Sequence, residues 1–141
     1  MKIKLVILGI LAMMSLSLLA CAAAAASAPV KISIDDFTSQ KNISKEIAVS
    51  AGDSFKVSLE SNPTTGFSWP EQAQVNDTAV LKQMNHEYVE PDSELMGAPG
   101  QEVWTFKALK KGTATISMEY SRTWEGGEKA EWTFVLTVTV R

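Results

Sequence analysis

From residue 54 to the C-terminus, apolar and polar residues alternate in short runs of period two. In Ser54-Phe55-Lys56-Val57-Ser58-Leu59-Glu60 every second side chain is apolar. A half-buried strand requires that pattern, because successive side chains leave the backbone on opposite faces. The same spacing sets Trp104, Phe106 and Ala108 on one face, then Ala114, Ile116, Met118 and Tyr120, then Phe134, Leu136, Val138 and Val140. In the last run Thr133, Thr137 and Thr139 fill the opposite face, as β-branched polar residues do. Turn chemistry separates the runs at Ala51-Gly52-Asp53, Asn62-Pro63, Lys110-Lys111-Gly112 and Glu125-Gly126-Gly127. Residues 27–45 read as a polar lead-in. No stretch after residue 29 keeps a helical period, and residues 71–81 hold at most a short helical turn. The pattern predicts an all-β fold, an immunoglobulin-like antiparallel β-sandwich of seven to eight strands, with the strand order left open.

Three segments break the alternation. Residues 62–69 form a turn with Pro and Gly followed by the aromatics Phe67 and Trp69, which read as exposed. Residues 90–101 form a long loop rich in Pro and Gly that carries Leu95 and Met96. Residues 121–129 form a turn carrying Arg122 and Trp124, and Trp124 follows the end of the alternation, so it also reads as exposed. Loops that join distant strands of a sandwich gather at its ends, where such proteins bind their partners.

The N-terminus is of a different kind. Lys2 and Lys4 precede an apolar run from Leu5 to Ala20, and small residues follow to Ala28. That order reads as an export signal over residues 1–28, leaving residues 29–141 as one folded domain. Cys21, the single cysteine, stands directly after Leu18-Leu19-Ala20 in a segment that resembles a lipobox, although Leu19 is bulkier than usual there. Lipidation at Cys21 would give a cell-envelope lipoprotein. Cleavage near Ala26-Ser27-Ala28 would give a secreted or periplasmic protein instead. Either cut leaves no disulfide, so stability rests on core packing. Without Lys2 and Lys4 the basic residues fall from 13 to 11 against 16 acids, a net charge of −5, which argues against nucleic acid or an anionic bilayer as partner.

Little in the chain carries catalytic chemistry. His86 is the single histidine, and its neighbours Asn85 and Glu87 would face away from it on a strand. No Ser-His-Asp or Cys-His set assembles around it, nor does a zinc site from His and Cys. It reads as a surface strand residue. Glu87, Glu90, Asp92 and Glu94 are close in sequence, but acids beside a Pro-Gly loop are ordinarily solvated. The expectation is a protein that is not an enzyme and takes no metal or cofactor.

The run Asn62-Pro63-Thr64-Thr65-Gly66-Phe67-Ser68-Trp69 has local logic of its own. Asn-Pro starts a turn, the threonines stiffen it, and Gly66 permits a positive φ. It is also similar to the signature of the chagasin family of cysteine peptidase inhibitors. Further signatures follow in order: Gly97-Ala98-Pro99-Gly100 resembles the family's Gly-x-Pro-Gly loop, with Trp104-Thr105-Phe106 after it. Arg122-Thr123-Trp124 stands where the family has Arg-Pro-Trp, so Thr123 is a departure. The resemblance runs from about Ile47 to Val140. It implies a reversible, competitive inhibitor of papain-family cysteine proteases whose three loops wedge into the active-site cleft. The protease-binding residues it implies are Asn62, Pro63, Thr64, Thr65, Gly66, Phe67, Gly97, Pro99, Gly100, Arg122 and Trp124. Thr64 would enter at the catalytic cysteine, Gly66 would keep the loop narrow, and the other loops would flank it. A wedge needs only a monomer. Two other readings are an adhesion or carbohydrate-binding sandwich with Trp69 and Trp124 as platforms, and a purely structural envelope lipoprotein.

Overall fold

A computed structural model describes residues 28–141. Cys21 and nearly all of the expected export segment lie outside the described residues. The elements in order are β1 (Val30–Ile32), α1 (Ile34–Ser39), β2 (Asn42–Val49) and β3 (Ser54–Ser61). A 3-10 turn (Pro63–Thr65) leads to β4 (Phe67–Ser68) and β5 (Gln74–Val75). The long strands β6 (Leu81–Val89), β7 (Gly100–Ala108), β8 (Gly112–Arg122) and β9 (Trp132–Val140) complete the chain. One sheet has the order β1-β3-β7-β6 and the other β2-β9-β8-β4, with β5 also against β8.

The core lies between the sheets, where the alternation placed it. Phe55, Val57 and Leu59 of β3 and Trp104, Phe106 and Ala108 of β7 face the even-numbered residues 114–120 of β8 and 134–140 of β9, none more than 2% exposed. Residues this large contribute about 1.5–3 kcal/mol each on burial, so these four strands supply most of the stability.

Three expectations are corrected. The sandwich has nine strands among the described residues, because β4 and β5 are two-residue pairings that no periodicity can register. It is also not wholly antiparallel: β1 runs parallel to β3 and β2 parallel to β9. Alternation fixes the face a side chain takes but not the direction of the neighbouring strand. The lead-in is structured too, since it holds β1, α1 and the first half of β2. Ser33 caps α1, donating its backbone N–H to Asp36 Oδ2 at 2.9 Å and accepting the Asp36 N–H at 3.2 Å. Accepting the Ser33 backbone N–H, and next its hydroxyl, holds the Asp36 carboxyl below its usual range. The helix delivers Phe37, fully buried, to stack on Trp132 at 5.3 Å and lie tilted against Trp69 at 5.1 Å. Residues 71–81 contain no helix; after β5 they hold the one short turn expected there, closed from Val80 and Leu81 to the Asp77 carbonyl, with Asp77 Oδ1 accepting the Ala79 N–H at 3.0 Å.

Candidate functional site

Strand pairing brings the three irregular loops to one end of the sandwich. Ser61, the last residue of β3, pairs with Gly100, the first of β7, so residues 62–66 and 97–99 emerge side by side. Phe67 of β4 pairs with Arg122, the last residue of β8, which sets the 123–131 hairpin on the other side.

The central loop is a single tight turn built on Asn62. Its side-chain Oδ1 accepts the Thr64 N–H at 3.3 Å and the Thr64 hydroxyl at 2.5 Å. Its backbone carbonyl accepts the Thr65 N–H at 3.1 Å and the Thr65 hydroxyl at 2.7 Å. Pro63 opens the turn, where its fixed φ suits the first helical position. Gly66 ends it at φ +81°, a left-handed conformation that an L-residue adopts at a cost. Pro63, Thr64 and Thr65 are exposed at the tip.

Both flanks are tied to this turn. Asn62 Nδ2 donates to the Gly97 carbonyl at 3.0 Å. The guanidinium of Arg122 forks onto the Thr65 carbonyl through Nε and Nη2, both at 3.3 Å. Arg122 also lies 4.4 Å over the Phe67 ring and 5.7 Å from the Trp124 ring, geometry favourable for a cation over an aromatic face. Its Nη1 is 3.7 Å from Glu128 Oε1, an exposed pair of little energetic weight. Arg122 continues the inward parity of β8 one step beyond Tyr120, where the facing sheet has ended, so its side chain spreads over the end of the core.

Beneath the loops lies an aromatic base. Tyr120 stacks on Trp132 at 4.8 Å and on Phe67 at 5.4 Å, and lies tilted against Trp69 at 5.0 Å. Its hydroxyl accepts the Asn62 N–H at 2.9 Å, so the core grips the first residue of the central turn directly. Trp69 is 2% exposed and donates its indole N–H to the Glu60 carbonyl at 3.1 Å. The expectation that Trp69 is an exposed aromatic is therefore corrected: β4 turns the chain back over the core within two residues of Phe67.

His86 is corrected as well. It is half-buried, with Nε2 3.3 Å from Glu102 Oε1 and its ring 5.0 Å from that of Trp104. The other Glu102 oxygen accepts the Trp69 N–H at 3.1 Å. The bulge between Gln83 and Asn85 shifts the register of β6 and turns His86 inward, while Asn85 and Glu87 stay exposed.

The flanking loops expose apolar groups. Trp124 is 51% exposed, and Leu95 and Met96, next to Gly97, are 78% and 101% exposed. Pro99 is exposed, whereas Gly100 is buried because Val89 O and the Tyr88 ring occupy the space a side chain would need. Desolvation, with Glu90 and Glu102 nearby, pushes the Tyr88 phenol above its usual range, so it stays neutral beside Gly100. All eleven expected site residues thus belong to one end of the sandwich. Tyr120 and Lys129 are the residues of this end that sequence reasoning missed. Tyr120 looked like one more core position, and Lys129 belongs to no motif.

Comparison with known proteins places the fold. The family model described as chagasin family peptidase inhibitor matches residues 48–138. Chagasin of Trypanosoma cruzi is 32% identical over 82 residues, covering 57% of this chain and 74% of chagasin. Amoebiasin-2 of Entamoeba histolytica is 31% identical over 103 residues, covering 73% of this chain and 83% of its own. Among solved structures, a cysteine protease inhibitor from Entamoeba histolytica superposes with a TM-score of 0.63 at 23% identity, over 80% of this chain and 96% of that one. PbICP-C, solved in complex with falcipain-2, superposes with a TM-score of 0.58 at 17% identity, over 79% and 99% of the two chains. These two structures speak for the fold alone.

Proposed function

The chain belongs to the chagasin family of peptidase inhibitors, and from that membership we propose that it inhibits papain-like cysteine proteases, reversibly and competitively, by setting its three loops into the active-site cleft. The observation that carries this reading is the pair of ties from Asn62 to Gly97 and from Arg122 to Thr65, which joins three sequence-distant loops into one edge. An edge already ordered before docking loses little conformational entropy on binding.

The central turn also resists the enzyme it would block. A protease cleaves an extended backbone whose carbonyl is free to enter the oxyanion hole. Here the Asn62 and Pro63 carbonyls are engaged inside the turn by Thr65 and Gly66. The Thr65 carbonyl is taken by Arg122, so Thr64 sits in a tight 3-10 turn between engaged carbonyls and would present its side chain to the catalytic cysteine rather than an extended backbone. Trp124 and Arg122 are residue types that dominate binding at interface centres. Leu95 and Met96 offer apolar surface on the other flank.

A carbohydrate-binding reading is weaker, because Trp69 is buried and its indole N–H is engaged, leaving Trp124 without a second platform. We further read the chain as exported and monomeric, with Cys21 as its lipidation site. Radiolabelled palmitate incorporated by the natural chain and not by Cys21→Ser would support that; equal labelling would refute it. For the inhibitor reading, Thr64→Ala and Trp124→Ala should each weaken inhibition of papain while leaving the far-UV circular dichroism unchanged. If neither change alters the inhibition constant, the loops are not the inhibitory surface.

A further inference from the structure

The segment that presents Trp124 has little internal restraint. Thr123 is exposed, and among the described residues its N–H donates to no acceptor. Thr123 itself makes no bond that would hold it between Arg122 and Trp124, yet both side chains flanking it belong to the binding edge.

The restraint comes from across the hairpin. The ammonium of Lys129 donates to the Arg122 carbonyl and, at 3.1 Å, to the Trp124 carbonyl. Those are the carbonyls on either side of Thr123. The Trp124 carbonyl also accepts the Gly127 N–H at 3.1 Å, and the Arg122 N–H reaches the Glu128 carbonyl at 2.8 Å. Directly after Lys129, Ala130 has φ +50°, the one non-glycine residue with positive φ among the described residues. Its N–H is held by Ser121 Oγ at 2.8 Å. An alanine in that conformation is strained and persists only where the surroundings fix it.

We propose that Lys129 is a positioning residue for inhibition: its ammonium clamps the Arg122 and Trp124 carbonyls and so fixes the direction in which Trp124 is presented. It touches the binding edge through backbone oxygens, and no contact between Lys129 and the protease is invoked. The proposal rests on the inhibitor reading for its consequence, but the clamp itself can be observed without a protease.

The test uses the full chain and a cycle of Lys129→Met and Thr123→Pro, since proline restrains the same segment covalently. Lys129→Met should weaken papain inhibition about fivefold, as expected for losing a charge-assisted bond at an exposed site. In the Thr123→Pro background the same change should cost less than twofold. The independent readout is 19F NMR of protein labelled with 5-fluorotryptophan, with the Trp124 resonance assigned from Trp124→Phe. Lys129→Met should sharpen and shift that resonance while leaving those of Trp69, Trp104 and Trp132 in place, and Lys129→Arg should restore it. An unmoved Trp124 resonance would overturn the clamp whether or not the protein inhibits papain. An equal loss of inhibition in both backgrounds would overturn it as well. Failure of the natural chain to inhibit, with the Trp124 resonance still responding to Lys129, would sink the inhibitor reading and leave the clamp standing.

Discussion

The ring of Trp124 lies against the α-carbon of Gly66, so close that a β-carbon there would overlap Cη2 and sit 2.8 Å from Cζ3. The narrow residue of the central loop is thus also the seat of the large residue of the flanking one. Gly66→Ala meets two penalties, a left-handed φ of +81° and displacement of the indole. We expect it to weaken papain inhibition by more than tenfold, from a backbone cost of about 1–2 kcal/mol together with the lost seating of Trp124. Inhibition constants beside thermal melts would check this, because a loss confined to stability would leave the constant unchanged.

Asn62→Asp separates the two jobs of that side chain. A carboxylate still accepts from Thr64 but cannot donate to the Gly97 carbonyl, so the turn survives and the tie to the neighbouring loop is lost. The expected loss is about 1 kcal/mol of binding, with amide exchange faster around Gly97 and unchanged at Thr65. Equal binding by the natural and substituted proteins would show that the tie does not pre-order the edge.

Tyr120→Phe keeps the aromatic stack and removes the hydroxyl that accepts the Asn62 N–H. A part-buried donor left without a partner costs about 1–3 kcal/mol, so the melting temperature should fall by several degrees. Inhibition should weaken in parallel. A variant as stable as the natural protein would mean that water replaces the hydroxyl.

Thr123→Pro should tighten inhibition by about 0.5–1 kcal/mol, through fewer conformations of the free loop. Thr123 donates no backbone hydrogen bond that proline would remove, among the described residues. A worse inhibition constant would mean that this hairpin needs a φ at residue 123 that proline denies.

How far these relationships could be read in advance depends on their range along the chain. The core faces of β3, β7, β8 and β9 were legible because period two is a local signal. The three loops were legible because Asn62 to Trp69, Gly97 to Gly100 and Arg122 to Trp124 are each contiguous motifs. The helix α1 was not, since six residues cannot show a helical period; the Ser33–Asp36 capping box is its one local trace. Trp69 looked exposed because it follows the turn, and its burial depends on a two-residue pairing with β8. The bond from Asn62 to Tyr120 spans 58 residues, and that from Asn62 to Gly97 spans 35. Contacts at that separation have no signature in a single sequence.

The central claim is tested most directly by titrating purified protein against papain and a cathepsin L-type protease at several substrate concentrations. The account predicts competitive inhibition in the nanomolar range, with the inhibitor chain intact after prolonged incubation because the Asn62, Pro63 and Thr65 carbonyls are engaged. Absence of inhibition at micromolar concentrations of correctly folded protein, or cleavage within residues 62–66, would contradict it.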